Sequence, residues 1–230
     1  MIITIDGPVA TGKSTIARRL SQSLGFIYFD TGAMYRIVTY AVLKHQVNVD
    51  DPAALAAFLK DFTFRIRTYR GEKKYTYQDE DITLKIRDDE VTQHVSKVSA
   101  IQAVREKLVI LQRELSIGVN AVFEGRDMGS FVFPDAPLKI FLTATAEERA
   151  RRRFEENKDK FPEKADQVTY EQVLKETNER DLYDSNRQFS PLIKASDAYE
   201  IDCTAMTAEE VVYKILEYKD TVRPKAKQGR

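Results

Sequence analysis

The chain has 230 residues, 43% hydrophobic and 31% charged, enough to bury the core of one large α/β domain or of a domain with an insertion. Its 36 basic and 36 acidic residues cancel, so it lacks the basic surplus that a nucleic acid polymer demands, and its single cysteine (Cys203) and two histidines (His45, His94) exclude an internal disulfide and a multi-cysteine zinc site. There is no basic leader before an apolar run and no stretch near the ~20 apolar residues of a membrane span, so the expectation is a cytoplasmic protein without a membrane partner.

Residues 1–6, MIITID, read as a short apolar strand. KSTIARRLSQSLG follows as a helix with Ile16, Leu20 and Leu24 on one face and Gly25 at its C-terminus. FIYFD reads as a second strand, TGAMYRIVTYAVLKHQ as a helix with Met34, Ile37, Val38, Ala41 and Val42 on one side, and DDPAALAAFLKDF as a helix opened by Asp51 and Pro52. The texture then changes. Residues 62–87 alternate apolar and polar side chains with a turn near Gly71, the pattern of a small antiparallel β insertion. Helical spacing returns from about Asp88 to Ile117, and NAVFEGRD and PLKIFLTA supply two more strands. TAEERARRRFEENK is a charged helix capped by Thr145, TYEQVLKETNERDLYDSNR another, AYEID a last strand, and TAEEVVYKILEYKD a last helix capped by Thr207. The polar tail TVRPKAKQGR is expected to fray. Strands alternating with helices predict a parallel sheet of about five strands flanked by helices, with ligands at the carboxyl ends of the strands. GPVATGKST, DTGAMYR, EGRD and TA each follow a strand and are expected at that rim.

Residues 7–15, GPVATGKST, fit G-x-x-x-x-G-K-[ST], here between a strand and a helix. The spacing predicts a P-loop NTPase-type sheet. Gly7 and Gly12 allow close backbone approach, and Pro8, Val9, Ala10, Thr11 and Thr15 complete the phosphate cradle. Lys13 is expected to reach the outer phosphates of ATP, and Ser14 to place its hydroxyl on Mg²⁺. A GTPase is disfavoured: none of the nine glycines has an aspartate three residues before it, and residues 157–160 read NKDK where N-K-x-D would read guanine. A kinase of a small phosphorylated acceptor needs no general base, because a phosphate oxygen is already ionised, but it needs arginines. Arg36, Arg126, Arg180, Arg187 and the run Arg149, Arg151, Arg152, Arg153 supply them. Arg126 carries the most weight, in EGRDMG directly after an apolar strand.

Taken together, ITIDGPVATGKST, DTGAMYR, VSKVSAIQAVRE, EGRDMGSFVFPDAPLKIFLTATAEERARRR and ERDLYDSNRQFSPL resemble the bacterial cytidylate kinase family, in order along nearly the whole chain. The resemblance implies transfer of the γ-phosphoryl group of ATP, with Mg²⁺, to CMP or dCMP. By its motif, Thr31, Arg36, Arg126 and Arg187 would surround the CMP phosphate and sugar, Arg180 would join them, and Asp184 would take the sugar hydroxyls. Ser96, Arg105 and Asp127 would read the base. Lys13, Arg126, Arg149 and Arg153 would act on the transferring phosphoryl group. The implied organisation is a core of residues 1–30, 118–144 and 196–220, a nucleoside-monophosphate-binding region at 31–117 carrying the insertion at 62–87, and a helical lid with its following helix at 145–190. A monomer is expected. The chain departs from the family pattern at Asp79, Gln102, Leu182 and Tyr183. On sequence alone, a kinase for UMP or another monophosphate and a non-catalytic nucleotide-binding protein remain as alternatives; an adenylate kinase with a zinc lid is excluded by the single cysteine.

Overall fold

The computed structural model describes residues 1–69, 72–160 and 168–222. In chain order its elements are β1 (Ile2–Asp6), α1 (Lys13–Leu24), β2 (Ile27–Asp30), α2 (Thr31–Lys44), α3 (Pro52–Lys60), β3 (Arg65–Tyr69), β4 (Glu72–Tyr77) and β5 (Glu80–Asp81), then α4 (Asp89–Ala100), α5 (Gln102–Leu115), β6 (Ala121–Glu124), β7 (Leu138–Thr143), α6 (Ala146–Lys160), α7 (Tyr170–Ser185), β8 (Tyr199–Asp202) and α8 (Ala208–Thr221). The chain divides into two compact units. One comprises Met1–Phe29 with Gly118–Arg230, the other Asp30–Ile117.

The larger unit is built on a five-stranded sheet in the order β2-β6-β1-β7-β8. β1 pairs in parallel with β6 and β7, and β7 in parallel with β8. Ile3, Thr4 and Ile5 of the central strand have no solvent exposure, which is why β1 reads as an apolar run and not as an alternation. Ile16, Ala17 and Leu20 of α1 pack on this sheet together with Val211 and Ile215 of α8. Burying one such side chain contributes about 1.5–3 kcal/mol. Gly25 ends α1 in the left-handed conformation, and Thr169 and Thr207 open α7 and α8 with full capping boxes.

In the smaller unit, β3, β4 and β5 form the antiparallel insertion. Tyr75 and Tyr77 are its buried side, and Tyr77 meets the rings of Phe62 and His45. The turn expected near Gly71 lies outside the described residues, as does the part of the C-terminal tail beyond residue 222. At the second hairpin, Gln78 and Asp79 both take positive φ. Asp79 thus stands at a position that suits glycine, and its carboxylate pairs with Arg65 across the hairpin. The helical stretch expected from Asp88 to Ile117 is two helices, broken at Ile101, whose backbone is extended. Gln102 opens the second helix and holds Glu106 one turn on, so the break forms without a proline at that position.

Gly7 follows β1 directly, at φ +148°, and a Cβ there would lie 2.2 Å from the Leu142 carbonyl oxygen of β7. Gly7→Ala is expected to destabilise the protein by about 2–4 kcal/mol through combined strain and overlap. Gly25→Ala, at φ +65° in open space, is expected to cost only about 1 kcal/mol. Urea unfolding of the two variants checks the ordering.

Candidate active site

The end of β1 turns through Gly7 into a loop that closes on α1. Gly12, at φ +84°, stands at the N-cap of α1, with no side-chain cap and no acidic residue in the first turn. α2 and α3, by contrast, are capped by Asp30 and Asp51. The open N–H groups and positive end of α1 are therefore free for an anion. The Lys13 ammonium curls back over the loop, donating to Pro8 O at 2.5 Å and to Thr11 Oγ1 at 3.3 Å. Burial, and then the nearby Arg126 guanidinium, push its pKa down to about 7, against the pull of Glu124, Asp181 and Asp6. Without ligand, the buried ammonium is under-neutralised, as a phosphate-binding site requires.

The neighbouring strand contributes a residue to which sequence reasoning gave no role. Glu124 ends β6 beside Ile5, and its Oε1 accepts from Ser14 Oγ at 2.7 Å and from Tyr28 OH at 3.0 Å. The signal for it was an acid closing an apolar strand, directly before Gly125. Asp6 was missed in the same way. It is buried, and its carboxylate accepts from the backbone N–H groups of Met128 at 2.8 Å and Gly129 at 2.7 Å. Burial raises its pKa to about 7; those two hydrogen bonds and Lys13 oppose the rise, and Asp127 adds to it.

α6 and α7 meet the loop through an ion pair. Arg149 is buried, pairs with Asp181 of α7, and donates to Val9 O at 3.2 Å, while Asp181 Oδ1 accepts from Val9 N at 3.0 Å. Arg152 donates to the carbonyls of Cys203 and Thr204, and Arg151 pairs with Glu148 and Glu155 on its own helix. Arg153 reaches Glu156, and its charge also acts on Arg180. Between the loop and the turn after β8 lies a cavity of about 550 Å³, lined among others by Thr11, Gly12, Thr15, Arg152, Thr204 and Met206. Cys203, buried in its wall, donates to Thr143 O and Thr11 O, the role of a small core residue.

Further along the same unit, two arginines contact one carboxylate, and its charge also acts on a third, Arg180. Asp184 accepts from Arg126 Nε at 3.0 Å and lies 3.7 Å from Arg187. Arg187 also donates to Ser190 O. Burial and then Arg126 lower the pKa of Arg180, whose Nε is buried with no hydrogen-bond partner among the described residues. Asp127 is buried at the start of a π-helical turn, Met128–Val132. The larger unit thus brings together residues 7–15, Arg126, Asp127, Arg149, Arg153, Arg180, Asp184 and Arg187.

Thr31, Arg36, Ser96 and Arg105 belong to the smaller unit. Thr31 is buried in the first turn of α2. Arg36, one turn on, donates to Ile86 O and to Thr92 Oγ1. Arg105, only 1% exposed, donates to Ser99 O and lies 5.0 Å from the centre of the Tyr35 ring. Ser96 sits half-buried on α4, one turn before Ser99. His94 bonds to Glu90 O in its own helix, and among the described residues no cluster of acids, histidines and cysteine could hold a metal ion. No helix among the described residues is long and apolar enough to cross a membrane.

Residues 3–221 match the family model described as cytidylate kinase. The cytidylate kinase of Protochlamydia amoebophila is 56% identical over 98% of this chain and 99% of its own length. That of Halalkalibacterium halodurans is 46% identical over 95% of this chain and 96% of its own. Among solved structures, an uncharacterized protein from Eubacterium ventriosum superposes with a TM-score of 0.50 at 12% identity, covering 96% of this chain and 98% of that one, a likeness of fold alone.

The lowered pKa of Lys13 has a sign that can be measured. Its folded value, about 7, lies below the unfolded 10.5, so the unfolded chain binds the extra proton between those limits. The penalty is fully present below about pH 7 and fades as pH rises toward 10.5. Without ligand, Lys13→Met is expected to be more stable than the parent near neutral pH, with the advantage shrinking by about pH 10. Urea unfolding at the two pH values checks it.

Proposed function

Because the chain belongs to the cytidylate kinase family, it is a phosphotransferase that phosphorylates CMP, and we propose that dCMP is a second acceptor, that Mg²⁺ accompanies the ATP donor, and that its own residues divide the work as follows. The observation that carries this division is the cluster of Arg126, Arg180 and Arg187 around Asp184, in the same unit as the under-neutralised Lys13. Donor and acceptor both bring phosphate charge, and their approach is resisted chiefly by repulsion, so fixed cations are what the reaction needs.

Residues 7–15 hold the donor phosphates with backbone N–H groups, and Lys13 follows the transferring group. Arg126, Arg149 and Arg153 stabilise the charge spread over its oxygens. The donor base takes the cavity beside Thr11 and Arg152. Mg²⁺, when bound, neutralises phosphate charge; the Ser14 hydroxyl and the Glu124 carboxylate are hard oxygen donors 2.7 Å apart and fit it. Thr31, Arg36, Arg126, Arg180 and Arg187 are assigned to the acceptor phosphate and sugar, Asp184 to the sugar hydroxyls. The acceptor oxygen attacks in line without a base. α6 and α7, within residues 145–190, serve as the lid that keeps water from the γ-phosphate. Residues 31–117, with their β insertion, serve the monophosphate, and the enzyme works as a cytoplasmic monomer.

The base is assigned to Asp127, Arg105 and Ser96. Cytosine offers an N4 amino donor to the Asp127 carboxylate, with N3 and O2 as acceptors for Arg105 and Ser96. Uracil would set a carbonyl against Asp127 with no proton between them, a costly mismatch in a buried place. UMP as the main acceptor, and binding without turnover, are both disfavoured by the relatives.

Asp127→Asn separates this reading from a structural one. The amide can present its oxygen or its NH₂ group, so it can face either base. kcat/KM for CMP is expected to fall about 10- to 100-fold, and that for UMP to fall less or to rise. Steady-state kinetics with both monophosphates check it. Equal losses for both would make Asp127 a structural or phosphate-site residue.

A further inference from the structure

Asp6 stands immediately before the phosphate loop, and its carboxylate reaches across to the loop that follows β6. Each of its oxygens accepts one of two consecutive N–H groups, Met128 at 2.8 Å and Gly129 at 2.7 Å. One residue earlier, Ile5 O accepts from Gly125 N at 3.0 Å. The segment between these two anchor points is Arg126 and Asp127. The far anchor is also packed tightly: a Cβ on Gly129 would lie 2.8 Å from Thr4 Oγ1 and 3.2 Å from Lys139. Beyond it the Asp127 carbonyl accepts from Phe131 and Val132, which fixes the turn that follows.

We propose that Asp6 is a positioning residue for acceptor recognition: with Ile5 it staples residues 125–129 to the strand end that launches the phosphate loop, and so holds Arg126 and Asp127 in a fixed register to Lys13. The inference rests on the reading of Arg126 and Asp127 as acceptor contacts. A carboxylate suits the task, because two adjacent N–H groups need two acceptors on one short side chain. An amide offers one acceptor and sets its NH₂ group against the other N–H. The groups facing Asp6 are Lys13, which attracts it, and Asp127, which repels it. The staple therefore links the donor-binding loop to the acceptor-binding loop through one side chain at their shared root.

Asp6→Asn tests this with four rates, CMP and UMP in the parent and Asp127→Asn backgrounds. In the parent, kcat with CMP is expected to fall about 10- to 100-fold, as a displacement near 1 Å would cause. The preference for CMP over UMP should shrink about tenfold, while KM for ATP stays within about threefold. In the Asp127→Asn background, Asp6→Asn should reduce the preference no further, because the two act through one contact. Asp127→Asn alone decides the base reading, so the failure of that reading is distinguishable from the failure of the staple. Should Asp6→Asn not fold, Gly129→Ala, which lifts the same anchor off Thr4 without removing a charge, must reproduce the drop in kcat and in preference. Unchanged kcat and preference in the folded variant, or a loss confined to KM for ATP, would overturn the proposal.

Discussion

A lysine ammonium and the N-terminus of α1 lie together in a buried loop at the end of β1, with the Arg126 guanidinium near enough to depress the lysine. In this arrangement burial first, and then the Arg126 charge, work against the protonated lysine and lower its pKa. The sheet, α1 and the neighbouring loops supply the stability that lets it persist. An incoming phosphate chain turns the same crowding into attraction. Donors held at a helix N-terminus and on a buried side chain are placed before a polyanion arrives, and little reorganisation of them is left for it to bring about.

Carboxylates keep those cations from scattering. Asp184 gathers Arg126 and Arg187, Asp181 pairs Arg149 while touching the phosphate loop, and Glu124 holds the Ser14 hydroxyl. Each acid is at or next to the end of a strand or on a helix that reaches the loop. Each holds a donor that would otherwise sample several rotamers. Surface pairs such as Arg151 with Glu155 have a different standing, because water screens them and their net contribution is small. The run of arginines on α6 accordingly divides by environment. Arg149 is buried against the loop, Arg152 ties down the turn after β8, and Arg151 remains on a solvated face.

The smaller unit follows another logic. Arg105 is almost fully buried, with a carbonyl and an aromatic ring among its neighbours, so its charge is partly desolvated before any ligand arrives. On the proposed assignment such a guanidinium would face a base edge, where a wrong partner is rejected because buried polar groups are left unmatched. The β insertion shields its apolar side with Tyr75 and Tyr77, while Glu80 ties it to Lys44 and Lys85 on the surface.

Local chemistry made much of this legible in the sequence. Glycine spacing in GPVATGKST, the helix starts at Asp51, Thr145 and Thr207, and the apolar runs of the strands each depend on residues close in the chain, so they can be read there. The break at Ile101 was less visible, because a glutamine at the first helical position gives no stop signal. The distant partners of the carboxylates could not be read at all. Ser14 and Glu124 are separated by 110 residues, Asp6 and Met128 by 122, and Val9 and Asp181 by 172. The sequence by itself determined the loop, the helix that follows it and the supply of arginines. The tertiary structure alone decided which donors Glu124, Asp6 and Asp181 hold across the fold, because strand order brings β6 and β7 to either side of β1, and only that juxtaposition sets distance, burial and therefore charge.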